Sequence, residues 1–163
     1  GFPTPSGKCE FYCERLAAEG CDPLPTWIPP AESAESSPEL ARRYPLQLLS
    51  PPSPHFLNST FVNVDSLRAA AREPEVQLHL DDAERRSIRS GDRVRVFNNR
   101  GAFEATALVG ETVRPGVAVA PGIWWNKYAS DRANVNATTS SRLTDLGGGA
   151  TFFDNLVEVE LIG

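Results

Sequence analysis

The chain has 163 residues, of which 40% are hydrophobic and 23% charged, enough for one ordinary globular core without disulfide or metal staples. Its net charge of −5 opposes non-specific attraction to phosphate backbones, and no apolar run approaches the ~20 residues that a membrane span needs. Nucleic acid and membrane insertion are therefore not expected.

Eleven of the fourteen prolines lie between Pro3 and Pro54. Each removes a backbone donor and fixes φ, so residues 1–44 read as an extended, proline-rich lead-in segment packed on the domain that follows, 45–163. Cys9, Cys13 and Cys21 are odd in number and form no CxxC pair; they read as ordinary thiols. Ser37, followed by Pro38 and Glu39, is placed to cap a short helix that Pro45 ends after Tyr44.

Short alternating segments follow. "PLQLL" (45–49) and "EVQLHL" (75–80) read as half-buried strands, the second with Val76, Leu78 and Leu80 on one face and His79 facing solvent. Between them "VDSLRAAAREP" predicts a helix capped by Asp65 and stopped by Pro74. "DDAERRS" repeats the device, with Asp81 as cap and Glu84 at capping-box spacing. "RVRVFNNRGAFEATALV" is two alternating runs around Asn98, Asn99, Arg100 and Gly101, residues suited to the left-handed conformations of a tight hairpin. "GVAVAPG" (116–122) predicts a small-residue strand, and "NLVEVELI" (155–162) a last strand with Val157, Val159 and Leu161 on one side. Six or seven short strands with two or three short helices imply a mainly β fold, a small barrel. The arginines at 85, 86, 89, 93, 95 and 100 interleave with Asp81, Asp82, Glu84 and Asp92, which reads as a solvated or interdomain face.

No GxSxG, HExxH, P-loop or GxGxxG spacing occurs, and His55 and His79 are the only histidines, so no autonomous active site and no metal site are expected. Two stretches instead mix amide, hydroxyl and aromatic side chains. "LLSPPSPHFLNSTFVN" (48–63) contains Ser50, His55, Phe56, Asn58 and Ser59. "WWNKYASDRANVNATTSSRLTDLGGGATFFDN" (124–155) contains Asn136, Thr139, Asp145, Gly148 and Asn155. Asparagine and threonine offer paired donors and acceptors, aromatic faces stack on flat heterocycles, and glycine admits close backbone approach. That is chemistry for holding a planar polar molecule. The run "LTDLGGGATFFDN" (143–155) alone suits a tether or a packed loop equally, but linkers rarely carry so many aromatics.

In chain order, "TPSGKCEFY" (4–12), "YPLQLLSPPSPHFLNSTF" (44–61), the stretch from "LHLDDAERRS" (78–87) to "GIWW" (122–125), and "NVNATTSSRLTDLGGGATFFDNLVEVE" (134–160) resemble the C-terminal cofactor domain of the dimethyl sulfoxide reductase family. The similarity covers nearly the whole chain. It implies a double-psi β-barrel cut from a larger molybdenum or tungsten oxidoreductase. Such a domain is not catalytic alone, and closes over the pterin and guanosine parts of a bis(molybdopterin guanine dinucleotide) cofactor. By position the resemblance makes His55 the loop histidine near the pterin, with Ser50, Phe56, Asn58 and Ser59 around it. Asn136 and Thr139 match the N-x-[LV]-T pair, with Asp145, Gly148 and Asn155 in the accompanying turn. Pro51 and Pro52 stand where many relatives carry an arginine. The metal ligand, and an iron–sulfur cluster where one exists, would belong to preceding domains. The implied partners are those remaining domains and an electron-transfer subunit. The other reading of the residues is a stand-alone double-psi barrel that binds protein or peptide.

Overall fold

A computed structural model describes residues 1–163. Six strands close a barrel: β1 (Leu46–Leu49), β2 (Glu75–His79), β3 (Arg93–Phe97), β4 (Ala102–Gly110), β5 (Val117–Val119) and β6 (Leu156–Leu161), in the spatial order β1-β5-β2-β4-β3-β6. β1 pairs parallel with β5 and β2 parallel with β4, while the other four pairings are antiparallel. These interlocked parallel pairs are the double-psi arrangement. Successive strands run alternately up and down, so the β1–β2, β3–β4 and β5–β6 connections all emerge at one end of the barrel. The other end holds the β2–β3 and β4–β5 connections.

Alternation builds the core. Leu46 and Leu48, Val76 and Leu78, Val94 and Val96, and Val157 and Val159 point inward, and all are essentially inaccessible. Ala105, Ala107 and Ala118 face them from β4 and β5, because a six-stranded barrel is too narrow to fill with large residues alone. Each buried Val or Leu contributes about 1.5–3 kcal/mol. A satellite cluster of Phe56, Val62 and Trp124 sits under the first loop.

Four short α-helices accompany the barrel, one more than the sequence predicts: α1 (Glu14–Ala18), α2 (Pro38–Arg43), α3 (Asp65–Ala71) and α4 (Leu80–Glu84). The caps differ from expectation. Ser37 is the N-cap of α2, but its hydroxyl donates to Ala31 O at 2.7 Å instead of capping the helix. Asp65 lies inside the first turn of α3 behind the cap position Val64, and the helix stops at Arg72, whose φ is +67°, before Pro74 is reached. The N-cap of α4 is His79, whose Nδ1 accepts the Asp81 amide at 3.1 Å, so His79 is not simply solvent-facing and Asp81 is not the cap. Leu80 begins that helix and leaves the strand's inner face; Leu161 is also exposed, at the fraying end of β6. The β3–β4 turn contains no left-handed residue: it closes with Asn98 N–H on Gly101 O, and Asn98 Oδ1 accepts the Arg100 amide.

Arg85, Arg89 and Arg95 of the arginine stretch are exposed, as a solvated face requires, but most of the stretch is also paired within the chain. Arg86 meets Glu158 and Asp82, Arg93 meets Glu73 and Glu104, Arg95 meets Glu160, and Arg100 meets Glu32. All three cysteines are free thiols. No helix is long and apolar enough to cross a membrane.

Candidate functional site

The first connection leaves β1 at Leu49 and is held from below by aromatics. Phe56 is buried edge-on against Trp124, with ring centroids 5.2 Å apart. Leu57 and Thr60 close a tight bridge over Asn58, whose φ of +52° asparagine tolerates better than most residues. Trp125 Nε1 donates to Ser59 O at 2.6 Å and its ring stacks on Tyr128. The Arg68 guanidinium covers Tyr128 at 4.0 Å and donates to Val62 O. The loop is thereby clamped from Phe56 to Val62.

The third connection is organised by Asn134. Its Oδ1 accepts the Asn136 amide at 3.0 Å and its Nδ2 donates to Trp124 O, opening a 3-10 turn over Val135–Thr138. Thr139 Oγ1 donates to Val135 O at 3.3 Å, and the Asn136 side chain stands exposed. The glycine run then folds on itself: Thr144 N–H meets Gly149 O at 2.8 Å, the Gly149 amide meets Thr144 Oγ1 at 2.9 Å, and Leu143 bridges Ala150. Gly148, with φ of +59°, makes that reversal. The segment is a closed turn, not a tether.

The second connection at this end, the β3–β4 turn, carries residues that the sequence marks only as hairpin-turn and surface residues. Asn98 is buried, and its Nδ2 lies within reach of Thr138 O, Asn155 Oδ1 and Leu156 O at 2.8, 3.0 and 3.1 Å. Arg100 donates to Thr138 O, Asn155 Oδ1 and both oxygens of Glu32. An asparagine and an arginine at a hairpin tip look like turn chemistry, and nothing in "PPAESAES" marks Glu32 for burial. Pairing between segments 68 residues apart leaves no local trace.

All ten candidate residues lie in the first and third connections, at the same end of the barrel, but not in one cavity. His55 lines an open cleft of about 370 Å³ with Ser53, Arg72, Gln77 and Trp124. Asp145 lines another of about 460 Å³ between the lead-in segment and the glycine turn. Their side chains divide by commitment. Phe56 is core, and Asn155, 1% exposed, is consumed by Asn98, Arg100 and Thr138, so both support the loops from inside. In contrast, the hydrogen bonds of His55, Ser59 and Asn136 use only their backbones, which leaves imidazole, hydroxyl and amide open to a ligand. Ser50 is half-buried and Asn58 exposed. These donors and acceptors suit a planar, multiply hydrogen-bonding heterocycle, and no group of three or more acidic, histidine or cysteine side chains is arranged to hold a metal ion.

Residues 46–156 match the family described as the Molydopterin dinucleotide binding domain. The chain belongs to this family. It is 40% identical over 161 residues to the probable oxidoreductase YoaE of Bacillus subtilis (strain 168), covering 99% of the chain and 22% of that protein. It is 38% identical over 173 residues to the dimethyl sulfoxide reductase DmsA of Escherichia coli (strain K12), covering 98% of the chain and 21% of that protein. Among solved structures, acetylene hydratase from Pelobacter acetylenicus superposes with a TM-score of 0.84 at 25% identity, over 98% of the chain and 24% of that protein. The chain thus spans about a fifth of the length of the relatives it matches. Dinucleotide-binding family membership gives no support to the stand-alone protein- or peptide-binding reading.

Proposed function

We propose that this domain holds the pterin and guanosine portions of a bis(molybdopterin guanine dinucleotide) cofactor, carrying molybdenum or tungsten, within a larger oxidoreductase. The observation that carries the reading is the set of uncommitted polar side chains on two clamped loops at one barrel end, in a chain of the dinucleotide-binding family. The bound cofactor would supply the redox chemistry at its metal. His55, Ser50, Asn58 and Ser59 form the first polar edge, stiffened by Pro51, Pro52 and Pro54, which lowers the ordering cost of binding. Asn136 and Thr139 form the second edge, and Asp145 and Gly148 lie on the turn beyond it. Phe56 and Asn155 hold these edges in place without touching the ligand.

The remaining domains of the same polypeptide are the partners this reading requires, and an electron-transfer subunit would be a further one. They would supply the metal ligand and the other wall of the cleft. The test uses the complete polypeptide with His55→Ala and Asn136→Ala, each measured for pterin by fluorescence after oxidation and for metal by mass spectrometry. Both variants should lose most of their cofactor while keeping their fold; full pterin and metal content in both would overturn the reading.

A further inference from the structure

Four stretches distant in sequence meet in one polar node at the loop-bearing end of the barrel: Glu32 from the lead-in segment, Asn98 and Arg100 from the β3–β4 turn, Thr138 from the 3-10 turn, and Asn155 before β6. Glu32 is only 8% exposed, and its carboxylate faces the Arg100 guanidinium at 2.5 and 2.9 Å, one oxygen to each terminal nitrogen. Arg100 Nε reaches Thr138 O at 2.7 Å, and Nη2 also reaches Asn155 Oδ1 at 3.2 Å. Asn155 Nδ2 then donates to Thr138 Oγ1 at 2.9 Å. The other contacts of the lead-in segment nearby are the Leu156 amide on Glu32 Oε2 and the Ala31 amide on Asp154 Oδ2.

Thr138 lies between Asn136 and Thr139 on the turn that the proposed function places against the cofactor. Its carbonyl is gripped by two donors and its hydroxyl by a third group, so the turn can shift only if the node opens. We propose that Glu32 and Arg100 are positioning residues for the cofactor: their fork-to-fork pair fixes the 135–139 turn and makes docking of the lead-in segment a condition of cofactor retention. The proposal rests on the reading that Asn136 and Thr139 contact the cofactor. Arginine is required because a lysine ammonium keeps the charge but cannot span a carboxylate and the Thr138 carbonyl in one plane. A pair that served only as glue would tolerate lysine.

The test uses the complete polypeptide with cofactor bound, as Arg100→Lys, Glu32→Gln and Asn136→Ala, with Arg95→Lys as control because Arg95 makes a similar but exposed pair with Glu160. Pterin remaining on the protein is followed during dialysis well below the melting temperature, with the far-ultraviolet spectrum and the cofactor's own circular dichroism recorded alongside. Arg100→Lys and Glu32→Gln should release pterin about tenfold faster than the parent and alter the cofactor's dichroism. Their far-ultraviolet spectra should stay unchanged, and Arg95→Lys should behave as the parent. Adding Asn136→Ala to Arg100→Lys should speed release little further, because both act on one turn. If Asn136→Ala accelerates release while Arg100→Lys and Glu32→Gln stay within twofold of the parent, the positioning role is overturned and the binding reading stands. If Asn136→Ala is also without effect, the binding reading falls and takes this proposal with it. Should Arg100→Lys fail to fold, Glu32→Gln, which preserves the shape of the acid, decides alone.

Discussion

A methyl group on Gly101 would stand 2.7 Å from the carbonyl oxygen of Ala137, so the β3–β4 turn reaches the 135–139 turn only because residue 101 has no side chain. Gly101→Ala should cost about 1–3 kcal/mol in urea denaturation, the ordinary penalty of overpacking, and should displace the backbone that carries Asn136. Asp82 works by the opposite means, through a buried charge. Its Oδ2 accepts the Gly116 amide at 2.6 Å, and Oδ1 faces Arg86, which also binds Glu158. Asp82→Ala should destabilise the barrel by about 3 kcal/mol, measured by the same titration, because Arg86 keeps its burial and loses one acid. Glu104 gives an acid-range signature. The Ser130 hydroxyl, and then Arg93, hold its carboxyl below the ordinary carboxylate range. The folded state therefore favours the charged form: this stability is present above the ordinary range and is lost as pH falls through the depressed folded value. Glu104→Gln should lower the thermal midpoint near neutrality, by a small amount since Glu104 is a third exposed, and its profile should converge with the parent's as pH falls through the acid range, which makes its acid limb shallower.

Among elements, the strands were the legible part, because period-2 alternation is a local signal and β1 to β6 all fall where it appears. Helix starts were less legible. A cap depends on which side chain can turn back to the first amides, and at α4 the strand-ending His79 does so where the sequence pointed to Asp81. Leu80 continued the alternation on paper, yet the chain had already turned into helix. The clamp on the first loop was invisible for a different reason: Trp125, Tyr128 and Arg68 meet only after β5 has been laid beside β1. Trp125→Phe keeps the stack and removes the donor to Ser59 O. Global stability should change by about 1 kcal/mol, whereas amides across 57–62 should exchange distinctly faster and cofactor retention should fall.

At the scale of the whole molecule, exposed apolar residues cluster on the lead-in segment and the glycine turn: Trp27 is 69% exposed, Ile28 65%, Leu143 65% and Leu146 62%, with Phe152 and Phe153 beside them. A face of that kind is normally covered. The isolated domain should bind a hydrophobic dye that the complete polypeptide does not, and Trp27→Ser with Phe153→Ser should reduce that binding; equal dye binding in the isolated and complete forms would refute a covered face. The strand set, the hairpin, the two polar-aromatic loops and a family resemblance carried by four ordered motifs were all determined by the sequence, because each rests on residues close together in the chain. Strand direction adds one consequence: with every connection reversing the chain, the first and third loops must share an end. What only tertiary structure decided is which polar residues remain free for a ligand. Asn155 and Asn136 look equivalent in sequence, yet one is consumed by Asn98, Arg100 and Thr138 while the other stands open. Burial and partner choice are set by segments tens of residues apart, and the local pattern carries no term for them.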